Sequence, residues 1–167
     1  MTVFISHAQA DKPLVDKFID LLQTGLNVSQ AHIFCTSLEG LGIPRGQNFV
    51  SFIREKMAGS AFVIMLITPR YYESAFCLCE LGATWITGQE AFPILVPPLG
   101  YDNLIAVLIG VQSGAIYDKD VLNELRDRLM QAGLATAATG RWEAKRVHPR
   151  VLGHPEEAVR ADLCSSR

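Results

Sequence analysis

The run SAFVIMLIT, residues Ser60 to Thr68, constrains the fold more than any other stretch. It is apolar nearly throughout and far shorter than the ~20 residues a membrane span needs. A strand with one wet face alternates apolar and polar residues, whereas a strand covered on both faces does not. The run therefore predicts a central strand of a parallel sheet with helices on both sides. Pro69 ends it.

The flanking segments fit the same plan. TVFIS (Thr2 to Ser6) reads as a first strand, AHIFCT (Ala31 to Thr36) as a second and AFPILVPP as a fourth. VQSGAIYD reads as a weaker fifth strand. Helical spacing separates them. Leu14, Val15, Phe18, Ile19, Leu21 and Leu22 form one helix face, with Asp11 as the expected N-cap and Pro13 in the first turn. Phe49, Val50, Ile53 and Met57 mark a second helix that Gly59 stops, and another begins near Ser74. YDNLIAVLIG suggests a short helix, and Val121, Leu122, Leu125 and Leu129 a last amphipathic one. Strand–helix alternation implies right-handed crossovers. The expected fold is α/β, a flavodoxin-like doubly wound sheet of five parallel strands over residues 1–131. Residues 132–167 lack a sustained period and read as a tail or linker, with a short helix suggested at Pro155 to Leu163.

Composition excludes several functions. The chain has 167 residues, 49% hydrophobic and 19% charged, a globular balance. A net charge of -2 offers no basic patch for nucleic acid. No basic leader precedes an apolar run, so neither a membrane anchor nor secretion is expected, and a cytoplasmic location is. Cys35, Cys77, Cys79 and Cys164 lack zinc or C-x-x-C spacing and read as reduced thiols. His7, His32, His148 and His154 show no paired ligand spacing, so no metal is expected.

In open parallel sheets, ligands bind beyond the carboxyl ends of the strands, where the strand order reverses. That rule gathers Ser6, His7, Ser37, the glycine loop Gly40 to Gly46 and the helix bearing Glu80 at one rim. The loop, GLGIPRG, matches neither the dinucleotide fingerprint nor the P-loop. It reads either as a surface connection or as a contact loop, with Arg45 able to meet a phosphate, to pair with a partner carboxylate or to stay solvated. His7 reads either as a local hydrogen-bonder or as a ligand contact. Trp85 is expected in the core. Glu80 shares a helix face with Phe76 at i, i+4. It is either a surface or ion-paired charge, or a partly desolvated acid able to oppose a sugar-centred cation.

Taken in order, VFISHAQADK, IFCTSLEGLGIPRGQNF and SAFVIMLITPRYYESAFCLCELGATW resemble the TIR (Toll/interleukin-1 receptor) domain family, in its bacterial form. The resemblance implies one of two activities: cleavage of NAD+ at the nicotinamide–ribose bond, or service as an assembly module. In the cleaving members the glutamate of a Trp-Cys-x-x-Glu segment is catalytic, and that position is Glu80 here. Phe76 stands where tryptophan is frequent, keeping the stacking face but losing the indole N–H. By the same resemblance Ser6, His7, Ser37, Arg45, Gly46, Phe76 and Cys77 line the dinucleotide site, with NAD+ as substrate and no further cofactor. The product is ADP-ribose or a cyclic isomer. Self-assembly through the BB loop, Glu39 to Gly46, is the implied activator, with a sensor domain or protein as a further partner and antiphage defence as the setting. The alternatives are a non-enzymatic TIR–TIR scaffold or a virulence effector acting on host TIR signalling. A flavodoxin-like receptor for a flavin or nucleotide ranks last, since the phosphate loop is missing.

Overall fold

The computed structural model describes residues 1–36, 48–105 and 108–136. Five strands make one parallel sheet: β1 (Thr2–Ser6), β2 (Ile33–Phe34), β3 (Ser60–Ile67), β4 (Ala91–Leu95) and β5 (Gly114–Ala115). The spatial order is β2-β1-β3-β4-β5, so the order reverses between β1 and β3. Ser6 pairs with Met65 at the carboxyl end of that junction. The doubly wound expectation is met, with β2 and β5 shorter than their apolar runs suggest.

The helices are α1 (Lys12–Asp20), α2 (Phe49–Ala58), α3 (Pro69–Glu73), α4 (Ala75–Ile86) and α5 (Lys119–Gln131). Most start on a side chain that satisfies an orphan backbone N–H. Asn48 accepts from Ser51 N at 3.1 Å, Ser74 from Cys77 N at 3.3 Å, and Asp118 from Asp120 N at 2.9 Å. Thr68 accepts from Tyr71 N at 3.0 Å, with Pro69 in the first turn. Asp11 departs from expectation. It sits at the N-cap of α1 but makes no capping bond, because its carboxylate is used elsewhere. A π-helical turn, Leu21–Gly25, carries α1 onward.

Both sheet faces are buried, as the β3 run requires. Val3, Ile5, Phe62, Ile64 and Leu66 pack with Val15, Phe18, Leu22, Leu125 and Leu129 on the α1/α5 side. Phe4, Val63, Met65 and Ile67 pack with Ile53, Met57, Tyr71, Cys77 and Leu81 on the α2/α3/α4 side. The core runs on past residue 131, since Leu134 and Ala135 are buried in it. The expected helix in YDNLIAVLIG is reduced, among the described residues, to a 3-10 turn at Tyr101–Asn103 followed by exposed Ile105 and Ile109. Trp85 also corrects its expectation. It is 65% exposed, because the buried stripe of α4 runs through Cys77, Glu80, Leu81 and Thr84 and leaves position 85 outside.

Candidate functional site

The i, i+3, i+4, i+7 stripe of α4 is the spacing of a core-facing helix, and one of its members is a carboxylate. Glu80 is only 6% exposed. Burying a carboxylate without partners is costly, so what meets it decides its chemistry. Ser6, the last residue of β1, donates from Oγ to Glu80 Oε2 at 2.5 Å. The hydroxyl of Tyr71, on α3, lies 2.9 Å from the same Ser6 Oγ. Thr84 donates to the Glu80 backbone carbonyl at 2.8 Å, fixing the helix turn beneath it. The sheet junction, α3 and α4 thus converge on one carboxyl group.

Burial is the main influence on Glu80 and lifts its pKa from 4.5 to about 7, the Ser6 bond opposing the rise. Near neutrality the group is divided between acid and carboxylate. Burial also raises the Tyr71 phenol and the Cys77 thiol, which keeps both protonated at neutral pH.

Glu80 opens onto a cleft of about 210 Å³ between α2 and α4. Ile53, Met57 and Ala83 give it apolar walls, Phe76 shares the α4 side with Glu80, and Arg54 lines it from α2. The expected pairing of Phe76 with Glu80 on one helix face is present. Ser6 meets Glu80 directly, and Cys77 lies buried one turn earlier on the same helix. His7 is turned elsewhere. Its Nδ1 lies 3.3 Å from the Ile5 carbonyl and 3.7 Å from Cys35 Sγ, a residue of the α1-side core. Burial lowers its pKa, favouring the neutral ring. Ser37, Arg45, Gly46 and the whole segment Glu39 to Gly46 lie outside the described residues.

Two residues of this rim escape a reading of the sequence alone. Asp11, taken there as a helix cap, instead accepts from Thr68 Oγ1 at 2.5 Å and from Arg70 at 3.1 Å, tying the end of β1 to the end of β3. Tyr71 looks like one more apolar ring after β3. The available signal is positional: it follows the strand end by a few residues, at the rim Ser6 occupies, and a buried phenol needs a partner.

A family model described as TIR domain matches residues 3–113, more than half of the chain. The chain belongs to the TIR domain family. It is 27% identical over 143 residues to a Bacillus subtilis (strain 168) protein named "Uncharacterized protein YddK", an alignment covering 84% of this chain. The chain spans about half, 53%, of that relative's length. Among solved structures, the TIR domain of the Toll-related receptor TRR-2 from Hydra magnipapillata superposes with a TM-score of 0.56 at 20% identity, covering 78% of this chain and 95% of that one. This likeness is one of fold. The TIR domains of the activated Roq1 resistosome, which directly recognizes the pathogen effector XopQ, give a TM-score of 0.47 at 16% identity, covering 97% of this chain and 98% of that one. Among the described residues no helix is long and apolar enough to cross a membrane.

Proposed function

We propose that this TIR domain cleaves NAD+ at the nicotinamide–ribose bond, with Glu80 as the catalytic carboxylate. The observation that carries the reading is a buried glutamate at the carboxyl end of the sheet's reversal point, opening onto a cleft it shares with Phe76. The nicotinamide ribose lies against Glu80, which holds its hydroxyls. The C1′–N bond breaks, its electron pair stays with the ring nitrogen, and neutral nicotinamide leaves. The sugar becomes oxocarbenium-like, and a carboxylate close by in a water-poor cleft opposes that charge. Water then adds at C1′ and loses a proton, giving ADP-ribose; capture by an atom of the same molecule gives a cyclic isomer instead.

The raised pKa of Glu80 is compatible with this role. The pyridinium of bound NAD+ favours the ionised carboxylate, so substrate binding itself charges the group. Arg54, on the α2 side of the cleft, is suited to a phosphate of the same ligand. Assembly through Glu39 to Gly46 is part of the proposal, as are a sensor partner, a cytoplasmic setting and a role in antiphage defence.

The test is chromatography of NAD+ incubated with wild type and Glu80→Ala, each dilute and under conditions that promote oligomers. Wild type releases nicotinamide, faster per molecule when assembled, and Glu80→Ala is slower by about 100-fold or more. Equal breakdown by the two proteins refutes the catalytic role, and equal rates for dilute and assembled protein refute the assembly requirement. A docking module without catalysis is the second reading. It is favoured by the exposed apolar side chains Trp85 and Ile86 on α4, and it predicts self-association with NAD+ left intact.

A further inference from the structure

Three side chains from separate elements form a line at the sheet junction: Tyr71 on α3, Ser6 on β1 and Glu80 on α4. Tyr71 is 0% exposed, Ser6 1% and Glu80 6%. A serine hydroxyl has a single proton, and here it is directed at Oε2 of Glu80. With Glu80 ionised, Ser6 Oγ therefore has only lone pairs to offer Tyr71, and the phenol, 2.9 Å away, is the donor. The direction Tyr71 to Ser6 to Glu80 follows from counting protons.

We propose that Tyr71 and Ser6 are positioning residues for Glu80, a buried two-hydroxyl donor chain that holds its Oε2 in place and favours the ionised carboxylate. This rests on the reading of Glu80 as the reacting group. Hydrogen bonds to a carboxylate are roughly twice as strong as those to a neutral acceptor, so a donor chain works against the desolvation that protonates the group. The second hydroxyl matters because each polarises the next. The chain engages one carboxyl oxygen, Oε2. The other titratable or charged groups around Glu80 are Cys77 and Cys79 on its own helix and Arg54 on α2 across the cleft. From β1 the neutral hydroxyl of Ser6 bonds it. Arg54 is exposed to solvent, and the influences on the Glu80 carboxyl are its burial and the Ser6 bond.

The site itself rests on a second clasp. Thr68 caps α3 by accepting from Tyr71 N at 3.0 Å, while its own hydroxyl donates to Asp11. The Tyr71 ring is thereby set by the loop that follows β1 as well as by packing.

The experiment follows the Glu80 carboxyl by carbon-13 NMR in glutamate-labelled protein, the resonance being assigned by its loss in Glu80→Gln. Wild type is expected to titrate near pH 7. Tyr71→Phe keeps the ring and removes only the donor, and is expected to raise the midpoint by about one pH unit, leaving about fivefold less carboxylate at pH 7. Ser6→Ala raises it further, and Ser6→Thr, which restores a hydroxyl, brings it back. The acid limb of NAD+ cleavage moves with the midpoint. A Tyr71→Phe protein that unfolds cooperatively and titrates like wild type overturns the proposal, as does Ser6→Thr titrating like Ser6→Ala. If the midpoints shift as stated while wild type leaves NAD+ intact, the donor chain stands and the enzymatic reading falls. If NAD+ is cleaved with unmoved midpoints, the reverse holds.

Discussion

The two faces of the sheet are built from the same strands and do different work. β3 sends Phe62, Ile64 and Leu66 to one side and Val63, Met65 and Ile67 to the other. On the α1/α5 side the cluster is aliphatic and aromatic, and the buried polar residues beside it, His7 against Cys35 and Asn123 on α5, bring no carboxylate. On the α2/α3/α4 side the same kind of apolar packing surrounds Ser6, Tyr71 and Glu80. The first face contributes stability by removing apolar surface from water. The second gives some of that stability up to hold a carboxyl group where water cannot solvate it. The difference teaches where to look for chemistry in such a fold: on the face whose buried stripe contains a residue that burial disfavours.

Substitutions test that division, and the largest effect belongs to the apolar face. Phe18 is 0% exposed in the α1-side cluster. Phe18→Ala is expected to cost about 3–5 kcal/mol, measured by denaturant unfolding, with the Glu80 titration unchanged. A shift of that titration would show that the faces are coupled.

Glu80→Gln is expected to act with the opposite sign. Its pKa in the folded chain, about 7, lies above the ordinary 4.5. Between those values the folded state binds the proton that the unfolded state has released, so stability falls as pH rises through the window and levels off above it. The glutamine variant removes this penalty. It should be more stable than wild type by up to roughly 3 kcal/mol at pH 8 and no different at pH 4. Thermal melts at the two pH values decide it, and equal differences at both would mean that the carboxylate is not penalised by burial.

A smaller effect is expected where β5 meets α5. A Cβ on Gly114 would lie 2.0 Å from Cγ2 of Val121, a stiff β-branched side chain. Gly114→Ala should destabilise by about 1–3 kcal/mol, and adding Val121→Ala should recover much of the loss. The smallest effect is at the polar rim. Arg70 bonds Asp11 at 3.1 Å, but its own side chain is 60% exposed. Arg70→Ala is expected to cost under about 1 kcal/mol, less in high salt, since water and ions screen the pair. A larger loss would mark the clasp between β1 and β3 as a structural element in its own right.

Much of the fold is legible in the residues themselves. The unbroken apolar run of β3 carries the parallel sheet, and the i, i+4 pair of Phe76 and Glu80 carries one wall of the cleft. These are local periodicities, and local periodicity survives into the structure. Legibility stops where a polar group has a choice of partners. Asp11 has the sequence of an N-cap, yet Thr68 and Arg70 capture its carboxylate. Trp85 has the composition of a core residue, yet its place on α4 turns it to solvent. His7 and Ser6 are neighbours in the chain, but one turns to Cys35 and the other to Glu80, since successive side chains of an extended segment point to opposite faces.

The sequence by itself determined the alternation of strands and helices, the burial of both sheet faces and the presence of an acidic residue on a helix that packs inward. Only the tertiary structure decided what that acid touches. Ser6 and Glu80 are 74 residues apart and Ser6 and Tyr71 are 65 apart. No propensity or period spans such distances. They meet because strand order and helix packing place three backbone segments at one junction, and a buried hydroxyl or carboxyl takes the partner that this packing supplies.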